Sequence, residues 1–264
     1  MDVVEGLVEQ EEELGIAIDD ATAWRIVRRS IDARGRRAPR FVTTVEVDVA
    51  SGVVCDERRS TRTSRRPLPR VDDGRRVAPE AARPAIVGMG PCGLFAALRL
   101  VAAGLRPTII ERGRTVEARG KDVARLLGRG EIDPESNLCY GEGGAGTYSD
   151  GKLYTRVDDP LEIPILEELV RCGAPPEILY DSRAHIGTDC LHKLLPRLRG
   201  DLEGRGVRFC FDTRLEELDL EGSPGDRTRR LRAVRTSAGE LPVDALFLAP
   251  GSSARDTWEM LHGA

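Results

Sequence analysis

The sequence is short of several things, and each shortage removes a class of function. No cysteine pair has the C-x-x-C spacing of a zinc knuckle or a redox disulfide. The six cysteines stand apart, at Cys55, Cys92, Cys139, Cys172, Cys190 and Cys210. They read as free thiols of a reducing compartment, so the expected location is cytoplasmic. Histidine is limited to His185, His192 and His262, none at ligand spacing from another on one helix face. Each reads as a surface or packing residue, and no metal site is expected. There is no G-x-S-x-G elbow and no H-E-x-x-H, so hydrolase and metalloprotease readings have no support. No apolar run approaches transmembrane length. The first residues, MDVVEGLVEQEEELG, are acidic and lack the apolar core of a secretory leader. No membrane partner is expected.

Lysine is nearly absent too. It occurs only at Lys121, Lys152 and Lys193, so almost all of the 40 cations are arginine. That skew has the character of a coding bias and weakens any argument from arginine alone. It bears on residues 51–83, which lose periodicity and carry Arg58, Arg59, Arg62, Arg65, Arg66, Arg70, Arg75 and Arg76 with Pro67, Pro69 and Pro79. No aromatic is interleaved to stack on bases, so the stretch reads as a solvated linker and not as a nucleic-acid patch. The net charge of -4 adds no pull toward nucleic acid.

What is present is organised around residues 84–113, PAIVGMGPCGLFAALRLVAAGLRPTIIERG. The pattern is strand, glycine turn, helix, strand. Gly88, Gly90 and Gly93 form G-x-G-x-x-G, with Pro91 opening the helix that runs to about Ala103. In a dinucleotide site the first glycine permits the sharp turn. The second lets backbone N–H groups approach a pyrophosphate, and the third lets helix and strand pack closely. The helix N-terminus turns its free amides toward the phosphates. Glu111 closes the second strand, where a carboxylate can accept from ribose hydroxyls; this argues against a 2′-phosphate there. A second glycine run follows in NLCYGEGGAGTYSDGKL, residues 137–153, with Gly141, Gly143, Gly144, Gly146 and Gly151. Such a run is neither ordinary helix nor strand. It can offer consecutive amides to an anion or a flat ring, and Lys152 adds a positive charge.

Around these motifs, residues 3–14 read as helical. Trp24 to Arg34 follows an apparent N-cap region at Asp19-Asp20 and also reads as a helix. Residues 41–49 alternate, with Phe41, Thr43, Val45, Val47 and Val49 on one face. Helices are expected over 161–172 and 189–203, and a strand over 207–211. Leu215–Leu220 and Leu231–Ser237 read as a hairpin. Val243–Leu248 reads as a buried strand running into Ala249-Pro250-Gly251, and a last helix begins near Ala254. The fold class expected is α/β. A Rossmann-like dinucleotide-binding domain, with an inserted β-hairpin, spans 84–264. It follows a small α+β unit over 1–50 and a linker over 51–83.

Taken in order, four stretches resemble the uncharacterised bacterial FAD-dependent dehydrogenases, members of the two-dinucleotide-binding-domain flavoprotein superfamily. They are RIVRRSIDAR (25–34), IVGMGPCGLFAALRLVAAGLRPTIIERG (86–113), ESNLCYGEGGAGTYSDGKLYTR (135–156) and HIGTD (185–189). The resemblance implies an FAD-dependent oxidoreductase acting on a small-molecule substrate, with NAD(P)H as a candidate electron donor. It implies that Gly88, Gly90, Pro91 and Gly93 hold the pyrophosphate and that Glu111 and Arg112 face the adenosine end. Gly143, Gly144 and Gly146 would lie over the cofactor. Leu215 or its neighbour Thr213 would pass its backbone near the adenine, and Gly251 matches the second FAD-contacting strand. Pro250 departs from the superfamily's usual Ala-Thr pair, and Pro has no N–H to offer. Lys152, or a backbone amide of residues 143–146, is the candidate for stabilising negative charge near the flavin. The resemblance also implies that the chain is the N-terminal portion of a longer protein, C-terminally incomplete. From the first motif alone, an NAD-binding Rossmann dehydrogenase or a non-catalytic nucleotide-binding fragment remains open.

Overall fold

The computed structural model describes residues 24–34, 38–47, 70, 74–78, 82–149, 151–153, 161–223 and 229–264. The expected helix over 3–14 and most of the Arg/Pro-rich stretch lie outside these residues. The chain divides into two compact units. One includes the N-terminal strands and Leu179–Ala184, and the other includes Pro69–Ile178 and His185–Ala264. Six residues from within the 84–264 stretch therefore belong with the first unit.

In that first unit, β1 (Trp24–Asp32) pairs antiparallel with β2 (Arg40–Val47). The helix expected over 24–34 is thus a strand. Its apolar residues suit the pleat once β2 supplies a partner: Trp24 sits opposite Val47, Ile26 opposite Val45 and Ile31 opposite Phe41. An irregularity between Ile26 and Arg28 resets the register, which hides the period-2 pattern from a reading of the sequence. Arg29 carries a two-pronged ion pair to Asp181, at 2.7 and 2.9 Å. Its amide donates to the Tyr180 carbonyl.

The second unit is an α/β fold of Rossmann type. Its parallel sheet has the order β5-β4-β3-β9, from β3 (Pro84–Val87), β4 (Thr108–Ile110), β5 (Arg208–Cys210) and β9 (Ala245–Leu248). Every neighbouring pair is parallel. The crossover from β3 to β4 is α1 (Pro91–Ala102). It buries Gly93, Leu94, Ala97 and Leu98, a stripe at helical spacing. Between β4 and β5 run α2 (Val116–Arg129), a 3₁₀ helix (Gly144–Tyr148), α3 (Glu162–Arg171) and α4 (Thr188–Gly204). After β5 the chain makes an antiparallel meander of β6 (Leu215–Glu221), β7 (Arg230–Thr236) and β8 (Gly239–Pro242). The expected hairpin therefore gains a third strand, which returns through the short turn 237–238. The chain closes with α5 (Arg255–Gly263).

Ala85, Val87 and Ile110 of the sheet pack with Leu215 and Val234 of the meander and with Val243, and Met260 of α5 leans on the same cluster. β9 departs from expectation. Val243 is buried but precedes the strand, and Phe247 and Leu248 are each 41 % exposed. The cause is topology: among the described residues β9 pairs only with β3 and stands at the end of the sheet.

The two ends of the glycine motif are set by close packing. A Cβ at Gly88, which has φ of +100°, would collide with the Ala249 carbonyl at the end of β9. A Cβ at Gly93 would collide with the Gly88 carbonyl oxygen and press on Ile86. Gly93→Ala is expected to destabilise the protein by about 1–3 kcal/mol or more, the scale of a forced overpacking. Gly200→Ala, on an open face of α4, is expected to stabilise it by about 0.5–1 kcal/mol. Urea denaturation of both variants checks the contrast; equal effects would contradict the packing account.

Candidate functional site

The carboxyl ends of β3, β4 and β9 open onto one cleft, a cavity of about 570 Å³. This is the position where ligands bind in open parallel sheets, and the volume is that of a small-molecule site. Its floor is the Gly88–Cys92 turn. Glu111 and Arg112 stand at the end of β4, Thr213 to Leu215 at the start of the meander, and Leu248 to Ala254 at the end of β9.

The phosphate end is built from α1. Gly90 is its N-cap and no side chain caps the helix. Pro91 has no N–H to leave unpaired, and the first intrahelical bond runs from the Leu94 amide to the Gly90 carbonyl at 3.0 Å. The amides of Cys92 and Gly93 are thus first-turn donors without intrahelical acceptors. A Cβ on Gly90 would meet nothing nearer than the Gly144 Cα, 3.9 Å away. Gly90 is therefore not demanded by the packing of the protein; its missing side chain leaves room in the cleft.

The second glycine run folds onto the first. The Gly143 amide donates to the Met89 carbonyl at 2.9 Å, and a Cβ on Gly144, which has φ of +65°, would stand 3.0 Å from the Gly90 Cα. The 3₁₀ helix then carries Gly144, Ala145 and Gly146 along the cleft wall. Gly143 and Gly93 are not among the cleft-lining residues, whereas Gly251 is.

Glu111 is buried, only 5 % exposed. One carboxylate oxygen accepts the Met89 amide at 2.8 Å. The other accepts the amides of Gly113 and Gly141, both at 2.9 Å. Three of its roughly four lone-pair directions are therefore used inside the protein. Its carboxylate ties the turn after β3, the turn after β4 and the start of the second glycine run into one piece. The spacing of the motif gave no sign of that structural duty.

Arg112 is also engaged. Its Nε donates to Glu135 at 2.8 Å, Nη1 and Nη2 donate to Asp256 at 3.0 Å, and its guanidinium lies 4.2 Å from the Tyr140 ring centroid. Tyr140 Oη in turn donates to the Ser253 carbonyl at 2.6 Å. These contacts hold the 135–140 loop and the start of α5 on either side of the cleft.

Lys152 is not among the cleft-lining residues. It is exposed and bridges His185 in an antiparallel pair, because the Ile186 amide donates to the Gly151 carbonyl and holds this stretch along the 185–186 segment.

Two charged residues missed by the sequence reading hold the loop from behind, and both are 0 % exposed. Arg119 of α2 donates to the carbonyls of Asn137, Leu138 and Glu142 at 2.7–3.0 Å. Glu142, the one charged residue inside the GEGGAG run, accepts the Val116 amide and Arg199 Nη1, each at 2.8 Å; its Oε1 has no hydrogen-bond partner among the described residues. Arg119 carries no signal among so many arginines. A lone carboxylate amid glycines was a readable one. Among the described residues, no group of histidines, cysteines and carboxylates is arranged to hold a metal, and no helix is long and apolar enough to cross a membrane.

Comparison with known proteins adds a frame. Residues 10–48 match the model of a domain of unknown function (DUF8436). Over 257 residues the chain is 34% identical to an uncharacterised protein of Clostridium beijerinckii, a match covering 94% of this chain and 46% of that protein. The chain thus spans about half the length of this curated relative. Similar solved structures include THI4 of Thermovibrio ammonificans (15% identity, 69% of this chain, 62% of that one, TM-score 0.43). They also include L-proline dehydrogenase from P. horikoshii (12%, 70%, 56%, 0.37) and the thioredoxin reductase of Lactococcus lactis (14%, 64%, 35%, 0.34). Likenesses of this size are resemblances only, and the fold assignment stands on the strand order and register described above.

Burial pushes the Glu142 carboxyl up to about 7, outweighing the nearby Arg199. The folded state then binds more protons than the unfolded chain between about pH 4.5, the ordinary value, and about pH 7. By linkage, this residue's contribution to stability falls as pH rises through that window. Replacing it with Gln removes the titration. The difference in unfolding free energy between Glu142→Gln and the parent is expected to shift by on the order of 2 kcal/mol across the window, in favour of the variant at the higher pH. A pH-independent difference would remove Glu142 as a titrating group.

Proposed function

We propose that the chain binds FAD in this cleft and forms the nucleotide-binding part of a flavin-dependent oxidoreductase acting on a small molecule. The observation that carries the reading is the packing of the second glycine run on the first, Gly143 N–H to the Met89 carbonyl and Gly144 against Gly90. A simple NAD domain has no need of a second glycine segment laid over its phosphate turn. An FAD domain in which the intervening chain folds back over the cofactor does.

The residues present fit such a group. The uncapped N-terminus of α1, with the space left by Gly90, suits a pyrophosphate. Glu111 retains about one lone-pair direction for a ribose hydroxyl. The Thr213–Leu215 backbone and the 3₁₀ helix provide facing walls, and Gly251 a third. When bound, a flavin accepts a hydride and passes it on, with NAD(P)H as a candidate donor. The chain's own contribution is to hold the phosphates by backbone amides, to fix the cleft width through Arg112 and Tyr140, and to hold the Glu111 carboxylate in place among three backbone donors. Arg112 is committed to Glu135 and Asp256. That leaves it poorly placed to receive a 2′-phosphate.

Purified protein is expected to be yellow and to release FAD, identified by mass, on denaturation. Gly90→Val is expected to lose the flavin while its unfolding midpoint stays close to that of the FAD-free parent, because the added atoms enter the cleft and not the core. Release of NAD in place of FAD would transfer the reading to a Rossmann dehydrogenase. A Gly90→Val protein that retains stoichiometric flavin would show that this turn is not the phosphate cradle.

A further inference from the structure

Among the five described cysteines only Cys92 and Cys139 are exposed, and both line the cleft. They reach it from different parts of the chain. Cys92 lies in the first turn of α1, two residues after Gly90, and Cys139 lies in the loop beside Tyr140. Cys139 is held in place: its amide donates to Asn137 Oδ1 at 2.8 Å, and Arg119 binds the neighbouring Asn137 and Leu138 carbonyls. The other thiols differ. Cys172 is buried, and that burial pushes its thiol up. Cys190 Sγ lies 3.5 Å from the Gly173 carbonyl, away from the cleft.

We propose that Cys92 and Cys139 form a thiol modification site, at which a small-molecule disulfide such as oxidised glutathione forms an adduct that excludes the nucleotide. The proposal rests on the flavin reading only for the identity of the ligand excluded. In the step, the sulfur of Cys92 or Cys139, having given its proton to solvent, attacks one sulfur of the disulfide. The disulfide S–S bond breaks and a protein–glutathione S–S bond forms. One glutathione thiolate leaves and takes up a proton; the protein sulfur is oxidised, that glutathione half is reduced, and the disulfide is itself the oxidant consumed. An adduct at either thiol places a tripeptide inside a cavity of about 570 Å³. At Cys92 it would stand beside the first-turn amides of α1.

The test uses the reduced full chain. Oxidised glutathione is added with and without FAD, the adducts are mapped by peptide mass, and FAD affinity is then measured. Adducts at Cys92 or Cys139 ahead of Cys172 and Cys190, suppressed by prior FAD and accompanied by loss of FAD binding, are the expected result. In a Cys92→Ser/Cys139→Ser variant, treated and untreated samples should bind FAD alike. No adduct at either residue, or adducts that leave FAD affinity unchanged, would overturn the proposal. Selective adducts on a protein that binds no FAD even untreated would overturn the flavin reading and leave the thiol site standing.

Discussion

The cleft depends on one buried carboxylate. Glu111 receives the amides of Met89, Gly113 and Gly141, and these belong to three turns that meet nowhere else in the sequence. Each amide faces inward where water cannot satisfy it, and an unpaired buried donor costs about 1–3 kcal/mol. A carboxylate supplies several acceptor directions from one short side chain, so one residue satisfies all three donors. The second glycine run is then drawn over the first turn. Met89 takes part twice, giving its amide to Glu111 and its carbonyl to Gly143.

Around this tie the charges are arranged in layers. Behind the loop, Arg119 and Glu142 are fully buried and answer mainly backbone groups. They shape the loop and do not face the cleft. At the mouth, Arg112 joins Glu135 to Asp256 with Tyr140 against its guanidinium face. The half-buried setting makes these pairs more useful for geometry than for stability, since exposed ion pairs contribute about 0–1 kcal/mol. Among the described residues many arginines, such as Arg112, Arg114, Arg199 and Arg214, are engaged in such ties.

The parallel sheet and its crossover helix were legible because their signals are local: Ile86-Val87, the glycine turn, the apolar stripe of α1 and Glu111 lie within one short stretch. Residues whose roles depend on distant partners were not. The strand at Trp24–Asp32 is recognisable only beside β2. The exposure of Phe247 and Leu248 follows from the position of β9 at the sheet's end, which their apolar character cannot report. Lys152 looked suited to the site by its place after the glycines, but pairing with the 185–186 segment takes it elsewhere. Glu111 was singled out for the ligand alone, and its three internal donors appear only when 141 is folded against 89.

The central claim is that the two glycine runs make one cradle. Amide hydrogen exchange of the full chain, with and without FAD, tests it most directly. The account predicts that FAD slows exchange together at residues 88–94 and 141–146, with residues 111–113 following. Protection confined to 88–94, with 141–146 exchanging as fast as in the free protein, would contradict it.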